Sequence, residues 1–200
     1  NLYSYVVNPF KPDAYFDFDL FKKHVALAQR IMDDIIDLEL EKIERIMAKI
    51  DSDPENEDVK HTESVLWQKI YKKSGQGRRT GVGITAEGDM LAALGLRYGT
   101  EEATEFAEKV HQTVALSAYR SSVEMAKERG AFEVYDSERE KSNPFINRLR
   151  EADPELYEEM KKYGRRNIAC LTIAPTGTTS LMTQTTSGIE PVFLPVYKLS

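Results

Sequence analysis

From Asp17 to about Ile50 apolar residues return at three- and four-residue steps, at Leu20, Val25, Leu27, Ile31, Ile35, Leu38, Ile43, Ile46 and Ile50, the period of an amphipathic helix. The acidic, proline-bearing run Asp51 to Asp58 breaks that period and predicts an exposed turn. A second helix is predicted over Val59 to Ser74, with Val65, Leu66, Trp67 and Ile70 as its apolar contacts and Gly75-Gln76-Gly77 as its stop. A short β-prone piece, Thr80 to Thr85, precedes a small helix through Asp89 to Leu94, closed by Gly95. Thr100 is placed to cap a long helix reaching Arg129, which Gly130 ends. Asn143-Pro144 and Asp153-Pro154 each predict the start of a short helix, because proline is tolerated in a first turn; the second should end at Gly164.

After about residue 165 the character changes. Ile168 to Ile173 is a continuous apolar run that predicts a buried strand, and beyond it threonine, serine, glycine and proline replace lysine and glutamate. The chain opens without methionine in a β-prone run, Leu2 to Val7, and is expected to be a fragment of something longer.

Composition narrows the function classes. A hydrophobic content of 41% in 200 residues supports a packed core. With 27 Lys+Arg against 33 Asp+Glu, the net charge of −6 argues against a general nucleic-acid surface or an anionic-membrane binder. No apolar run approaches the roughly 18 residues of a membrane helix, and the first residues lack the basic and apolar regions of a leader. The single cysteine, Cys170, excludes an internal disulfide and a thiolate metal cage, so a reducing, cytoplasmic location is expected.

The segment Ala174-Pro175-Thr176-Gly177-Thr178-Thr179-Ser180 could carry chemistry. Proline sets a turn, Gly177 allows close approach, and the hydroxyls and amides of Thr178, Thr179 and Ser180 can cradle a phosphate at a helix start. It is either an anion cradle or simply a capped turn, and it is not a Walker A loop, having no GK[ST]. Gly81 to Ala86 formally matches G-x-G-x-x-G/A, but a long preceding strand and a following acidic residue are missing, so dinucleotide binding is disfavoured. The acidic turn at Asp51 to Asp58 lacks the glycine and terminal glutamate of a calcium loop.

His24, His61 and His111 stand at no ligand spacing and read as packing or surface residues. Cys170, inside an apolar run, reads as a buried inert thiol rather than a nucleophile. Glu190 is the one charge in a long uncharged stretch and is expected to be buried with a partner. Gly77-Arg78-Arg79-Thr80 and Gly164-Arg165-Arg166-Asn167 echo one another. Their arginines are expected to cap the preceding helices and lie over a sheet edge rather than touch a substrate.

Three blocks, Gly77 to Gly99 (GRRTGVGITAEGDMLAALGLRYG), Asn167 to Ser180 and Ser187 to Tyr197, together with Ala126 to Gly130, resemble the catalytic subunit of ribonucleotide reductases over nearly the whole chain. The APTGT and SGIEPVF forms are more similar to the adenosylcobalamin-dependent class than to the di-iron class, which typically carries a glutamate where Gly177 stands. The resemblance implies an α/β fold: residues 1–200 would be part of a ten-stranded α/β barrel domain, helical over about 17–164, with a strand and phosphate loop over about 165–200.

It further implies thiyl-radical reduction of a ribonucleotide at its 2′ carbon, with Pro175, Thr176, Gly177, Thr178, Thr179 and Ser180 holding the substrate phosphates. Adenosylcobalamin as cofactor, a thioredoxin-type reductant and a homodimeric complete enzyme are implied in the same way. The family's radical cysteine, its flanking asparagine and glutamate, and the reducing cysteines have no counterpart in these residues; Cys170 does not replace them, so the chain alone should not turn over. Tyr3 stands where a glycine is more usual, and Tyr197 to Ser200 departs from the family's basic continuation. The alternatives are a nucleotide- or phosphate-binding module without catalysis, and a helical interaction domain.

Overall fold

The computed structural model describes residues 1–192, and these are mostly helical. The α-helices are α1 (Phe18–Ser52), α2 (Glu57–Gly77), α3 (Glu87–Ala93), α4 (Glu101–Arg129), α5 (Pro144–Ala152), α6 (Pro154–Tyr163) and α7 (Gly177–Thr183). A 3-10 turn at Leu2–Tyr5 leads into two-residue strands β1 (Val6–Val7) and β2 (Tyr15–Phe16), paired antiparallel with Val6 opposite Phe16. The predicted caps of α5 and α6 are in place: Asn143 accepts from the Phe145 amide, Asp153 from the Leu156 amide, and each helix has proline in its first turn. Gly130 and Gly164 end their helices at φ of 86° and 72°.

Three expectations change. α2 runs through Gly75 to Gly77, and Arg78, in the left-handed region at φ 45°, closes it by donating its amide to the Ser74 carbonyl. None of its residues is buried. In α1 the buried face is Phe21, Val25, Gln29, Asp33, Ile36, Ile43 and Ile50, whereas Leu20, Leu27, Ile31, Ile35 and Leu38 are exposed. The helix is right and its expected inner face is largely wrong, because two polar residues take core positions by finding buried partners.

The continuous strand expected over Ile168 to Ile173 is also not formed. It is reduced to one parallel bridge, Leu171 with Val82. A strand needs neighbours on both sides to become the interior of a sheet. Here the Thr172 amide donates to Val82, and the Thr80 amide to Ala169, with no further sheet partner among the described residues. The expected helix-rich character is present, and the described residues, with two short strands, do not themselves close a barrel.

The chain divides into two compact units, each assembled from separated segments. One comprises Asn1–Val25, Val82–Ser117 and, of the described residues, 171–192; the other comprises Ala26–Gly81 and Ala118–Cys170. The second unit is organised around buried charge. Asp33, fully buried, accepts from Arg78 Nε at 2.8 Å, Asn167 Nδ2 at 2.8 Å and Arg166 Nε at 3.3 Å. Gln29 donates to Thr80 Oγ1 and Asn167 Oδ1, both at 2.9 Å, and Arg78 also reaches Asp37 at 2.7 Å.

Arg165 is equally enclosed. Its guanidinium grips Glu140 with two bonds of 2.6 and 2.5 Å, donates to the Asn167 and Ile168 carbonyls, and stacks among Tyr119, Phe132 and Tyr135. Three of the four echoing arginines are therefore anchors within the fold, and Arg79 is exposed. Arg78 does cap a helix, but Arg78, Arg165 and Arg166 are tied to carboxylates rather than spread over a sheet edge.

Candidate functional site

The first unit holds Ala174 to Ser180, the segment expected to bind phosphate. After the bridge at Leu171 the chain turns through Pro175 into Thr176, which takes the left-handed conformation at φ 53° and opens α7. Of the six residues expected to bind phosphate, two are committed to the fold. Thr176 Oγ1 accepts from the Gly188 amide at 2.7 Å, and Ser180, buried, donates to the Gly177 carbonyl and shares a hydrogen bond with Ser187 Oγ at 2.8 Å.

Pro175, Gly177, Thr178 and Thr179 are exposed. The Thr178 and Thr179 hydroxyls and the Gly177, Thr178 and Thr179 amides have no protein acceptor among the described residues. A Cβ built on Gly177 would meet nothing within 4 Å, so space is open directly above the backbone. The arrangement is thus an outward row of free donors on a turn whose Thr176 and Ser180 hydroxyls are engaged within the protein. Donors so placed can bind an anion; nothing in the row can act as an acid, base or nucleophile at neutral pH.

This turn is fixed by the return segment Thr186 to Pro191, which packs on the start of α3. The Ala86 amide donates to the Thr186 carbonyl at 3.0 Å and the Glu87 amide to the Gly188 carbonyl at 3.3 Å. In the reverse direction, Asp89 Oδ2 accepts from the Thr186 amide at 2.6 Å. The approach is close: a Cβ on Gly88 would lie 2.9 Å from Pro191 Cα and 3.0 Å from the Glu190 carbonyl oxygen, and one on Gly83 would lie 2.9 Å from the Thr172 carbonyl oxygen. Gly83 of the Gly81 to Ala86 motif therefore serves close contact between chain segments. Tyr98 adds a bond from its hydroxyl to the Ile189 carbonyl at 3.0 Å.

α3 is itself anchored to α4 by Glu87, nearly buried, whose carboxylate meets His111 Nε2 at 2.7 Å. The reading of His111 as a packing or surface residue missed this ion-pair geometry; His24 shares a hydrogen bond with Tyr5, and His61 is exposed. Glu190, expected to be buried, is exposed instead, because the turn at Ser187 to Glu190 presents it outward. Sequence reasoning also passed over Asp89. An acidic residue in the first turn of a short helix gave only the signal of a favourable helix dipole.

Cys170, in the second unit, is fully buried, and burial pushes its thiol up to about 12. It is inert, as its apolar setting predicted. Among the described residues, the one group of acids close enough to share a cation, Asp33, Asp34 and Asp37, is already held by Arg78, Arg129 and Arg166. No helix among the described residues is long and apolar enough to cross a membrane. The part of the third resembling block beyond Val192, with the atypical ending Tyr197 to Ser200, lies outside the described residues.

Comparison with known proteins places these observations. The chain is 31% identical over 194 residues to a vitamin B12-dependent ribonucleoside-diphosphate reductase of Thermoplasma acidophilum, a match covering 96% of this chain and 19% of that protein. It is 36% identical over 117 residues to the enzyme of the same name from Mycobacterium tuberculosis, covering 58% of this chain and 14% of that one. A ribonucleoside-diphosphate reductase subunit alpha of Chlamydia pneumoniae is 26% identical over 196 residues, covering 88% and 16%. The chain thus spans less than a fifth of the length of these relatives. The family model described as "Ribonucleotide reductase, barrel domain" matches residues 1–199, and the chain belongs to that ribonucleotide reductase family.

Proposed function

We propose that this chain is the substrate-phosphate-holding part of the ten-stranded barrel of an adenosylcobalamin-dependent ribonucleoside-diphosphate reductase. The reaction exchanges the 2′ hydroxyl of a ribonucleotide for hydrogen, yielding deoxyribonucleotide and water while a dithiol becomes a disulfide. The reductant is of the thioredoxin type, the complete enzyme is a homodimer, and the reducing cytoplasm keeps its thiols available. The radical cysteine is contributed by residues other than these 200.

The observation that carries the reading is the exposed row at Gly177, Thr178 and Thr179. Its amides and hydroxyls have no protein acceptor among the described residues, on a turn anchored at Thr176 and Ser180. Pro175 sets the turn, Thr176 and Ser180 hold its shape, and Gly177, Thr178 and Thr179 present donors to the phosphate oxygens. The relatives named for vitamin B12 support the cofactor. One cavity of about 320 Å³ is walled by Tyr15, Phe16, Phe18 and Phe106, another of about 160 Å³ lies beside Glu87, and neither is of corrin size or offers cobalt a free histidine.

The test is made in the complete reductase carrying this sequence. Replacing Thr178→Val together with Thr179→Val removes two hydroxyl donors while conserving shape. The KM for ribonucleotide should rise at least about tenfold, with kcat reduced less. Unchanged kinetics would remove the loop from the substrate site.

A further inference from the structure

The turn at Thr176 to Ser180 is not held by its internal bonds alone. Thr176, its left-handed opening residue, is secured by the Gly188 amide, so the place of the donor row depends on where the return segment lies. That segment is gripped from α3 by two amide donors and one side chain. The amides of Ala86 and Glu87 belong to the backbone and are indifferent to residue type. The side chain is Asp89, whose carboxylate takes the Thr186 amide at 2.6 Å, a short, charge-assisted bond.

We propose that Asp89 is a positioning residue for substrate phosphate: it touches no substrate, and it sets the donor row of Gly177 to Thr179 by fixing Thr186 and, through Gly188, Thr176. The inference rests on the phosphate-loop reading above. Its logic is geometric. Thr186 is bound on both its amide and its carbonyl by the first turn of α3, so it cannot shift without breaking two bonds at once. Gly188, two residues on, passes that placement directly to Thr176. Loss of the Asp89 carboxylate leaves the Thr186 amide without its acceptor and frees the segment to move relative to α3. The donor row then meets the phosphate in many arrangements instead of one, and affinity for the phosphate falls while the rest of the substrate is held as before.

The experiment uses the complete reductase with Asp89→Ala and Asp89→Asn, measuring KM and kcat for ribonucleotide and inhibition by the free nucleoside, which carries no phosphate. Asp89→Ala should raise KM about tenfold with kcat within about twofold; Asp89→Asn, which keeps an acceptor but not the charge, should raise it about threefold. Nucleoside inhibition should be unchanged by either. If Asp89→Ala fails to fold, the Asn variant decides: a rise for nucleotide alone supports the role, and no rise overturns it. Equal losses for nucleotide and nucleoside would also overturn it, reducing Asp89 to general stability. Should the Thr178→Val, Thr179→Val enzyme lose affinity while Asp89→Ala does not, the loop reading stands and this inference falls. Should neither lose affinity, the loop reading itself has failed.

Discussion

Asp33 shows how a single residue can decide an interface inside the fold. Burial alone would raise its carboxyl. The hydrogen bond and charge of Arg78, with Asn167 and Arg166, outweigh that and hold it below the usual carboxylate range. A depressed folded value stabilises the protein above the ordinary carboxylate value, near 3.9, and the contribution is lost as pH falls through that value and on through the folded one. Stability measured by urea unfolding should therefore decline from about pH 5 toward pH 3. Asp33→Asn should cost about 1–3 kcal/mol at pH 7, since the buried Arg78 loses one of its two carboxylate partners and keeps Asp37, while the half-buried Arg166 loses its bond to Asp33, and should flatten the acid slope. An equal slope in both proteins would show that other carboxylates carry the acid response. Asp33 was legible only in hindsight. It falls in phase with Phe21, Val25, Gln29 and Ile36, but a polar residue on that face looks like solvent exposure until its partners, more than 40 positions away, are known.

At the scale of elements, what could be read from the sequence was what local chemistry determines. Caps at Asn143 and Asp153 and stops at Gly130 and Gly164 follow from hydrogen bonding and backbone freedom within a few residues. The phase of α1 and the fate of Ile168 to Ile173 depend on distant segments and were misread for that reason. Gly88 joins the two kinds of information. Alanine there would favour an isolated helix by roughly 1 kcal/mol, yet its Cβ would sit 2.9 Å from Pro191 Cα and 3.0 Å from the Glu190 carbonyl. Both obstacles are backbone, so the return segment must move. Gly88→Ala should lower stability by about 1–3 kcal/mol and raise KM for ribonucleotide in the complete enzyme. A variant as stable as the original, with unaltered KM, would show that the segment adapts without disturbing the phosphate turn.

For the whole molecule, the turn proposed to hold phosphate stood out because its composition differs so sharply from the charged helices before it. Which of its residues face outward was not legible: Thr176 and Ser180 turn inward through bonds to Gly188 and Ser187 that no local pattern encodes. The family was legible in three blocks that, where described, meet in the structure: Gly88 lies against Pro191, Gly83 against Thr172, and Gly188 beside Ala174 and Thr176. Membership in the ribonucleotide reductase barrel family is thereby joined to a concrete arrangement of residues. The most direct measurement is turnover by the complete enzyme carrying this sequence, supplied with a ribonucleoside diphosphate and a dithiol. The account predicts deoxyribonucleotide formed only when adenosylcobalamin is added, with one disulfide made per product. Failure to form deoxyribonucleotide, or formation that does not depend on adenosylcobalamin, would contradict it.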